Sequence, residues 1–400
     1  MAVKVRAITV GTNLGLPFDD AAFSAAAEFC RRAREVVERR GVEVQTLRVA
    51  AGKLNPLFGR EKSGVVELAR SLDLACAEEE IDFCCIGCLD ATARRAPAAF
   101  AAELSQAVSE TERVFVSVLA ASKGRGVRGQ TALECARTVL RIARATADGF
   151  NARRFAVGAS VPPNGPFFPT SYHGGGPPAF SLALEAADLV ERACADGAGV
   201  ETACESLVAA LEECCLPLEE VARDLEARHG IRYAGIDLSP SPFPAPELSI
   251  AGAVESLGGG TFGSSGTLSV IRAIAAALKR VRVKRCGFSG VMLPVLEDSV
   301  LLSRVADGKV TLDQLLLFSA VCGTGLDTVP LPGDVSEEHL AAVILDVCGL
   351  SLALDKALTA RLMPVPGKKA GDWTEFRFPY FGNTRAMALS PDCLRRLLVS

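Results

Sequence analysis

Apolar and polar positions alternate along this chain in two rhythms. Residues 3–11 (VKVRAITVG), 42–50 (VEVQTLRVA), 81–90 (IDFCCIGCLD), 113–119 (RVFVSVL) and 153–161 (RRFAVGASV) are short, apolar and rich in β-branched side chains, which predicts strands. Residues 231–239, 283–293, 326–331 and 357–365 repeat the pattern, and TEFRFPY at 374–380 is a candidate tenth strand. Between them run segments of helical character at 19–41, 62–80, 97–109, 129–149, 179–197, 201–228, 247–257, 267–280, 297–306, 311–321 and 336–354. The first has an acidic start, a basic end and a glycine stop. Strand–helix alternation predicts a parallel sheet with helices on its faces, open or closed as a barrel. The apolar run at 81–88 suits its buried centre. No low-complexity linker divides the 400 residues, so one large α/β domain is expected over residues 1–400.

Composition narrows the function. The net charge of −4 gives no reason to expect a nucleic-acid or anionic-membrane partner. No apolar run is long enough to span a bilayer, and the start of the chain reads directly as a strand rather than as a targeting segment. The 14 cysteines then fit a reducing, cytoplasmic setting with thiols rather than disulfides. CCIGC (Cys84, Cys85, Cys88) has one CxxC spacing without a second knuckle, so core thiols are favoured over structural zinc.

In parallel α/β folds chemistry gathers where strands end, and the unusual loops of this chain follow its strands. VPPNGPFFPTSYHGGGPPAF carries His173, and GIDLSPSPFPAPELS carries Asp237. GGGTFGSSGT enters a helix; its Gly260, Gly263, Ser264, Ser265, Gly266 and Thr267 would either cradle an anion on backbone N–H groups or merely cap a turn. GVMLPVLEDS carries Glu297 and Asp298, either helix caps or a general base and a metal ligand. Glycine-flanked Cys322 is a candidate nucleophile or a buried thiol, and Asp298, Asp327 and Asp334 are candidate oxygen ligands for a divalent metal such as Mg²⁺.

The stretch RLMPVPGKKAGDWTEFRFPYFGNTR, from Arg361 to Arg385, sets Lys368 and Lys369 between glycines, beside Asp372, Glu375 and aromatic residues. Lysine is a point-charge partner for phosphate or carboxylate, and Arg361 would add a bidentate clamp. The expectation is that this loop and the glycine-rich loop close over one pocket for a small anionic molecule.

GIDLSPSPFP, GGGTFGSSGTL, CGFSGVMLPVLEDS, SAVCGTGLDTVPLPGD and LTARLMPVPGKKAGDWTEFRFPYFGN resemble segments of the uncharacterised DUF711 (UPF0210) family. The motifs fall within residues 155–385, whereas residues 1–150 fit by pattern. The resemblance implies a ten-stranded α/β barrel like that of glycyl radical enzymes of the pyruvate formate-lyase type. It supplies no reaction. Gly382 in PYFGN lacks the glycyl-radical signature, so no radical chemistry is expected. Two functions stand open. One is an enzyme on a small carboxylate or phosphate metabolite, with His173, Asp237 or Glu297 moving protons and Cys322 as nucleophile. The other is a non-catalytic metabolite binder or sensor, free or within a homo-oligomer or larger assembly.

Overall fold

The computed structural model describes residues 3–59, 64–195 and 199–399. In chain order its elements are β1 (Lys4–Gly11), α1 (Asp20–Glu38), β2 (Val44–Ala50), α2 (Gly64–Glu78), β3 (Phe83–Asp90), α3 (Ala101–Ser109), β4 (Val114–Ser122), β5 (Gly126–Val127), α4 (Gly129–Arg144) and β6 (Phe155–Ala159). The second half adds β7 (Ala179–Glu185), α5 (Ala187–Ala195), α6 (Val200–His229), β8 (Arg232–Asp237), α7 (Ile250–Gly258), α8 (Thr267–Leu278), α9 (Ser299–Ala306), α10 (Leu312–Ser319), β9 (Gly325–Pro332), α11 (Glu337–Leu354) and β10 (Leu358–Val365). Local signals set the helix ends. Asp19 accepts a hydrogen bond from the Ala22 N–H at the start of α1, and Thr311 with Gln314 forms a full capping box on α10. The expected starts and ends of two helices, at 62–63 and 196–197, lie outside the described residues.

The sheet runs β8-β7-β1-β2-β3-β4-β6-β10-β9, with β5 hooked onto β4. As expected of the 81–88 run, β3 holds the centre and is buried on nearly its whole length. Parallel alignment throughout is not what forms. Strands β1, β2, β3, β4 and β6 are mutually parallel, as are β7 with β8 and β9 with β10, but β1 meets β7 and β6 meets β10 antiparallel. Residues 179–185, expected to be helical, form β7. Their run AFSLALE is helix-compatible in isolation, and pairing along the whole of β1 decides otherwise. Conversely, 283–293 makes no regular strand, and 374–380 forms none either. Single bridges join Arg285 to Ile236 of β8 and Pro294 to Asp327 of β9, so the 285–294 segment touches both ends of the strand order.

The antiparallel joins place the site. Gly11, at the end of β1, pairs with Ala179, at the start of β7, and Lys4 pairs with Glu185. The carboxyl ends of β1, β2, β3, β4 and β6 therefore share one end of the sheet with the amino ends of β7–β10. Loops that follow early strands and loops that follow late strands face opposite ends.

Candidate functional site

A cavity of about 290 Å³ opens where the early strands begin and the late strands end. Arg6 of β1, Thr46 and Arg48 of β2, Phe83 of β3, Phe115 of β4 and Arg361 of β10 line it, with Asp237 and Glu297. One loop reaches it from the opposite end of the sheet, where β6 ends. The 160–173 segment is closed at its base by the Asn164 N–H donating to the Tyr172 carbonyl, and its buried tip brings Pro166, Phe167 and Phe168 to the cavity wall. The Cys85 thiol donates to the Pro169 carbonyl and helps seat that tip. Burial pushes the Cys85 pKa up, which suits a packing thiol and not a nucleophile.

The cavity's charges fall into two groups. Arg6, Glu297, Arg361 and Asp327 form a chain of ion pairs: Arg6 Nη2 to Glu297 Oε2 at 2.9 Å, Arg361 Nη2 to Glu297 Oε1 at 3.1 Å, and Arg361 Nε to Asp327 Oδ1. Two cations and two anions cancel. Burial pulls the Arg361 pKa down, and the two carboxylates more than offset it, leaving the guanidinium firmly charged. Asp327 is 0% exposed and its Oδ2 has no hydrogen-bond partner. Burial raises its pKa against the pull of Arg361.

The second group is Arg48 and Arg153. Among the described residues no carboxylate comes within ion-pair distance of either, while every other arginine lining the cavity has one. Aromatic rings hold them instead. The Arg48 guanidinium lies 5.2 Å from the Phe168 ring centre and 5.9 Å from that of Phe83, with Nε donating to Thr46 Oγ1 at 3.0 Å. The Arg153 guanidinium lies 3.9 Å from Phe150, 5.5 Å from Phe378 and 6.0 Å from Phe115. Ring faces attract cations but do not cancel their charge. Burial accordingly draws both guanidinium pKa values down to about 9, with neighbouring arginines adding to the effect.

The acids are otherwise engaged. Asp237 accepts hydrogen bonds from the Ser239 N–H and Oγ–H and from the Phe288 and Ser289 N–H groups. The turn it holds needs glycine at 287: φ is +59° there, and a Cβ would sit 2.0 Å from Asp237 Oδ2. Burial still leaves the Asp237 pKa raised.

Of the residues singled out in the sequence, the structure gathers Asp237, Glu297 and Arg361 at this cavity, sets Asp327 behind it as the buried partner of Arg361, and places the rest elsewhere. His173, 1% exposed, sits at the opposite end, against Gly11; its N–H donates to the Ala51 carbonyl, Nδ1 faces Asn164 Oδ1 and Nε2 faces the Gly176 carbonyl. Cys322 is buried after α10, and its sulfur accepts from the Gly325 N–H. Asp298 caps α9, accepting from the Leu301 N–H, the Ala251 N–H and the Ser249 hydroxyl. Asp334 is an exposed turn residue. Asp298, Asp327 and Asp334 thus do not meet as a ligand set, and among the described residues no cluster of three metal-ligating side chains occurs.

The glycine-rich loop joins α7 to α8 in the outer layer. Gly260, Ser264, Ser265 and Gly266 are exposed, and the Gly263 N–H is used on Thr267 Oγ1. Its N–H groups close a turn instead of facing the cavity. Lys368 pairs with Glu375 at 3.2 Å, and Asp372 accepts from the Lys369 N–H. These four form a solvated turn away from the cavity, because β10 ends in a tight turn at Gly367 that leads the chain outward. The aromatic half of the same stretch does reach the site: Phe378, Tyr380 and Phe381 line the cavity, with Asn383 tying the loop to both the N–H and the carbonyl of Phe376.

Arg6, Arg48 and Arg153 escaped the sequence reading, which searched loops and not strands. The available signal was Arg48 set between Leu47 and Val49 in VEVQTLRVA, a strand expected to be covered by helices.

A family profile described as Uncharacterised ACR (DUF711) matches residues 1–382. A UPF0210 protein of Pyrobaculum arsenaticum is 32% identical over 400 aligned residues, covering 93% of this chain and 87% of the relative. One from Desulforudis audaxviator is 30% identical, covering 86% and 78%, and one from Methanococcus aeolicus is 25% identical, covering 94% and 88%.

Proposed function

Given that the chain belongs to the DUF711 family, known as UPF0210, we propose that it binds a small anionic metabolite in the arginine-lined cavity. One observation carries this reading: Arg48 and Arg153 line a cavity without a carboxylate partner among the described residues. Both are half-buried, and a cation held partly out of water against aromatic rings with no acid at ion-pair distance is incompletely compensated. A carboxylate or phosphate entering the cavity would supply that counter-charge, and guanidinium matches both groups bidentately. The low-polarity aromatic wall would strengthen each contact.

The geometry favours binding over catalysis. Glu297 is clamped by two arginines and Asp237 holds a turn through four donors, three of them on Oδ1, so both carboxylates are engaged in the fold. Enzymatic action on the same anion is the second reading. What favours it is Asp327, whose raised pKa and unpartnered Oδ2 leave a carboxyl group able to hold a proton beside Arg361. In both readings the sheet closes as a ten-stranded barrel of the pyruvate formate-lyase type, which the two bridges of the 285–294 segment support. The free cysteines favour a cytoplasmic setting.

The test is a calorimetric titration and thermal-shift screen with inorganic phosphate and short carboxylates. At least one of these anions should raise the melting temperature. Arg48→Gln should weaken its binding by roughly 1.5–3 kcal/mol, the scale of a lost charged hydrogen bond. Binding that is equal in wild type and variant, or absent in both, overturns the proposal.

A further inference from the structure

Among the described residues, two separate cations with no carboxylate at ion-pair distance line one cavity, where the nearby Asp82 is engaged by the Leu47 N–H and by Arg34, and aromatic rings lie between the two cations. From Arg48 the path crosses Phe168 at 5.2 Å, passes from Phe168 to Phe115 with ring centres 5.5 Å apart, and reaches Arg153 6.0 Å from Phe115. Phe83 packs edge-on against Phe115 at 5.4 Å beside this path. The intervening wall is apolar, and among the described residues the only other cations lining the cavity, Arg6 and Arg361, are already paired with Glu297 and Asp327. A single carboxylate or phosphate would satisfy one of the two guanidiniums and leave the other as it is. Their rings hold them apart, and each repels further positive charge.

We propose that the ligand is an elongated dianion, a dicarboxylate whose two ends pair with Arg48 and Arg153 and whose hydrocarbon body lies across Phe115 and Phe168. This rests on the cavity being the anion site. It adds that the site is two-headed and selects for length, because the guanidiniums are anchored by rings on different elements. Arg48 is fixed by the tip of the 160–173 loop and by β3, whereas Arg153 is fixed by Phe150 and by the Phe378 loop. Neither can follow a shorter ligand without losing its ring contacts. The cavity's 290 Å³ is adequate for an unbranched chain of moderate length and small for a nucleotide.

The experiment titrates wild type, Arg48→Gln and Arg153→Gln with the straight-chain dicarboxylates from succinate to suberate and with the matched monocarboxylates. One dicarboxylate length should bind wild type at least about tenfold tighter than its monocarboxylate and than its longer and shorter neighbours. Each single variant should abolish that preference, bringing the dicarboxylate to within a fewfold of the monocarboxylate. Both variants should keep the wild-type circular dichroism spectrum and urea midpoint, so that lost binding is not lost folding. Equal affinity for mono- and dicarboxylates, or sensitivity to only one arginine, overturns the two-headed ligand while leaving a one-headed anion site standing. No binding by any member of either series overturns the two-headed site, and if inorganic phosphate also fails to bind, the anion site on which it rests falls with it.

Discussion

The two ends of the sheet treat their polar groups differently. At the His173 end the partners are local: the Asn164 and Gly176 oxygens flank the imidazole, whose neutral form donates to one of them, and Lys53 pairs with Asp90, which also accepts from the N–H and hydroxyl of Thr92. At the cavity end, β1, β2, β10 and the turn before β6 bring in four arginines, and among the described residues two of them have no acid at ion-pair distance. A satisfied network is what a fold needs to bury polarity. An unsatisfied one costs stability, and the two arginines without an acid are what carry the proposal that an anion binds at the cavity end.

The ion-pair chain at the cavity end is the strongest test of that contrast, because there the charges are structural. Arg361→Ala leaves Glu297 short of one partner and Asp327 without any, both buried. Breaking such a pair costs about 3–5 kcal/mol. The urea midpoint should fall accordingly with an unchanged slope, and a loss below about 1 kcal/mol would mean that the chain of pairs is not what holds β9, β10 and the 285–297 segment together.

A smaller effect is expected at the other end and appears only with pH. Burial lowers the His173 pKa, with the Gly176 carbonyl partly opposing and Arg232 adding to the fall. A base whose folded pKa is depressed contributes stability above its unfolded value, near 6.5, and loses it as the pH falls toward the folded value. Wild type should therefore lose more stability than His173→Asn between neutral and mildly acidic pH, measured as the difference of their melting temperatures at each pH. Parallel pH profiles would show that His173 does not titrate with folding. Asp237, Asp298 and Asp327, with raised pKa values, oppose this trend in both proteins and cancel in the comparison.

The smallest effect belongs to the surface. Lys368 pairs with an exposed Glu375, and such pairs contribute about 0–1 kcal/mol. Lys368→Ala should leave both the melting temperature and anion affinity almost unchanged. A clear loss of anion binding would return the lysine turn to the site.

Much of the local structure was legible in the chain. Strand–helix alternation, the central 81–88 strand, the caps at Asp19 and Thr311 and the family motifs all follow from neighbours within a few residues, where side-chain periodicity and capping act. What the tertiary structure alone decided is direction and company. Residues 179–185 have no local reason to be a strand until β1 offers its edge. That antiparallel pairing sends His173 and Lys368 away from each other and brings Arg6 to Glu297, 291 residues apart. Whether an arginine in a strand is a paired structural charge or an open one depends on which acid arrives from a distant segment. Pairings at such separations leave no periodic trace along the chain, because they are selected by the packing of whole strands and not by the residues beside them.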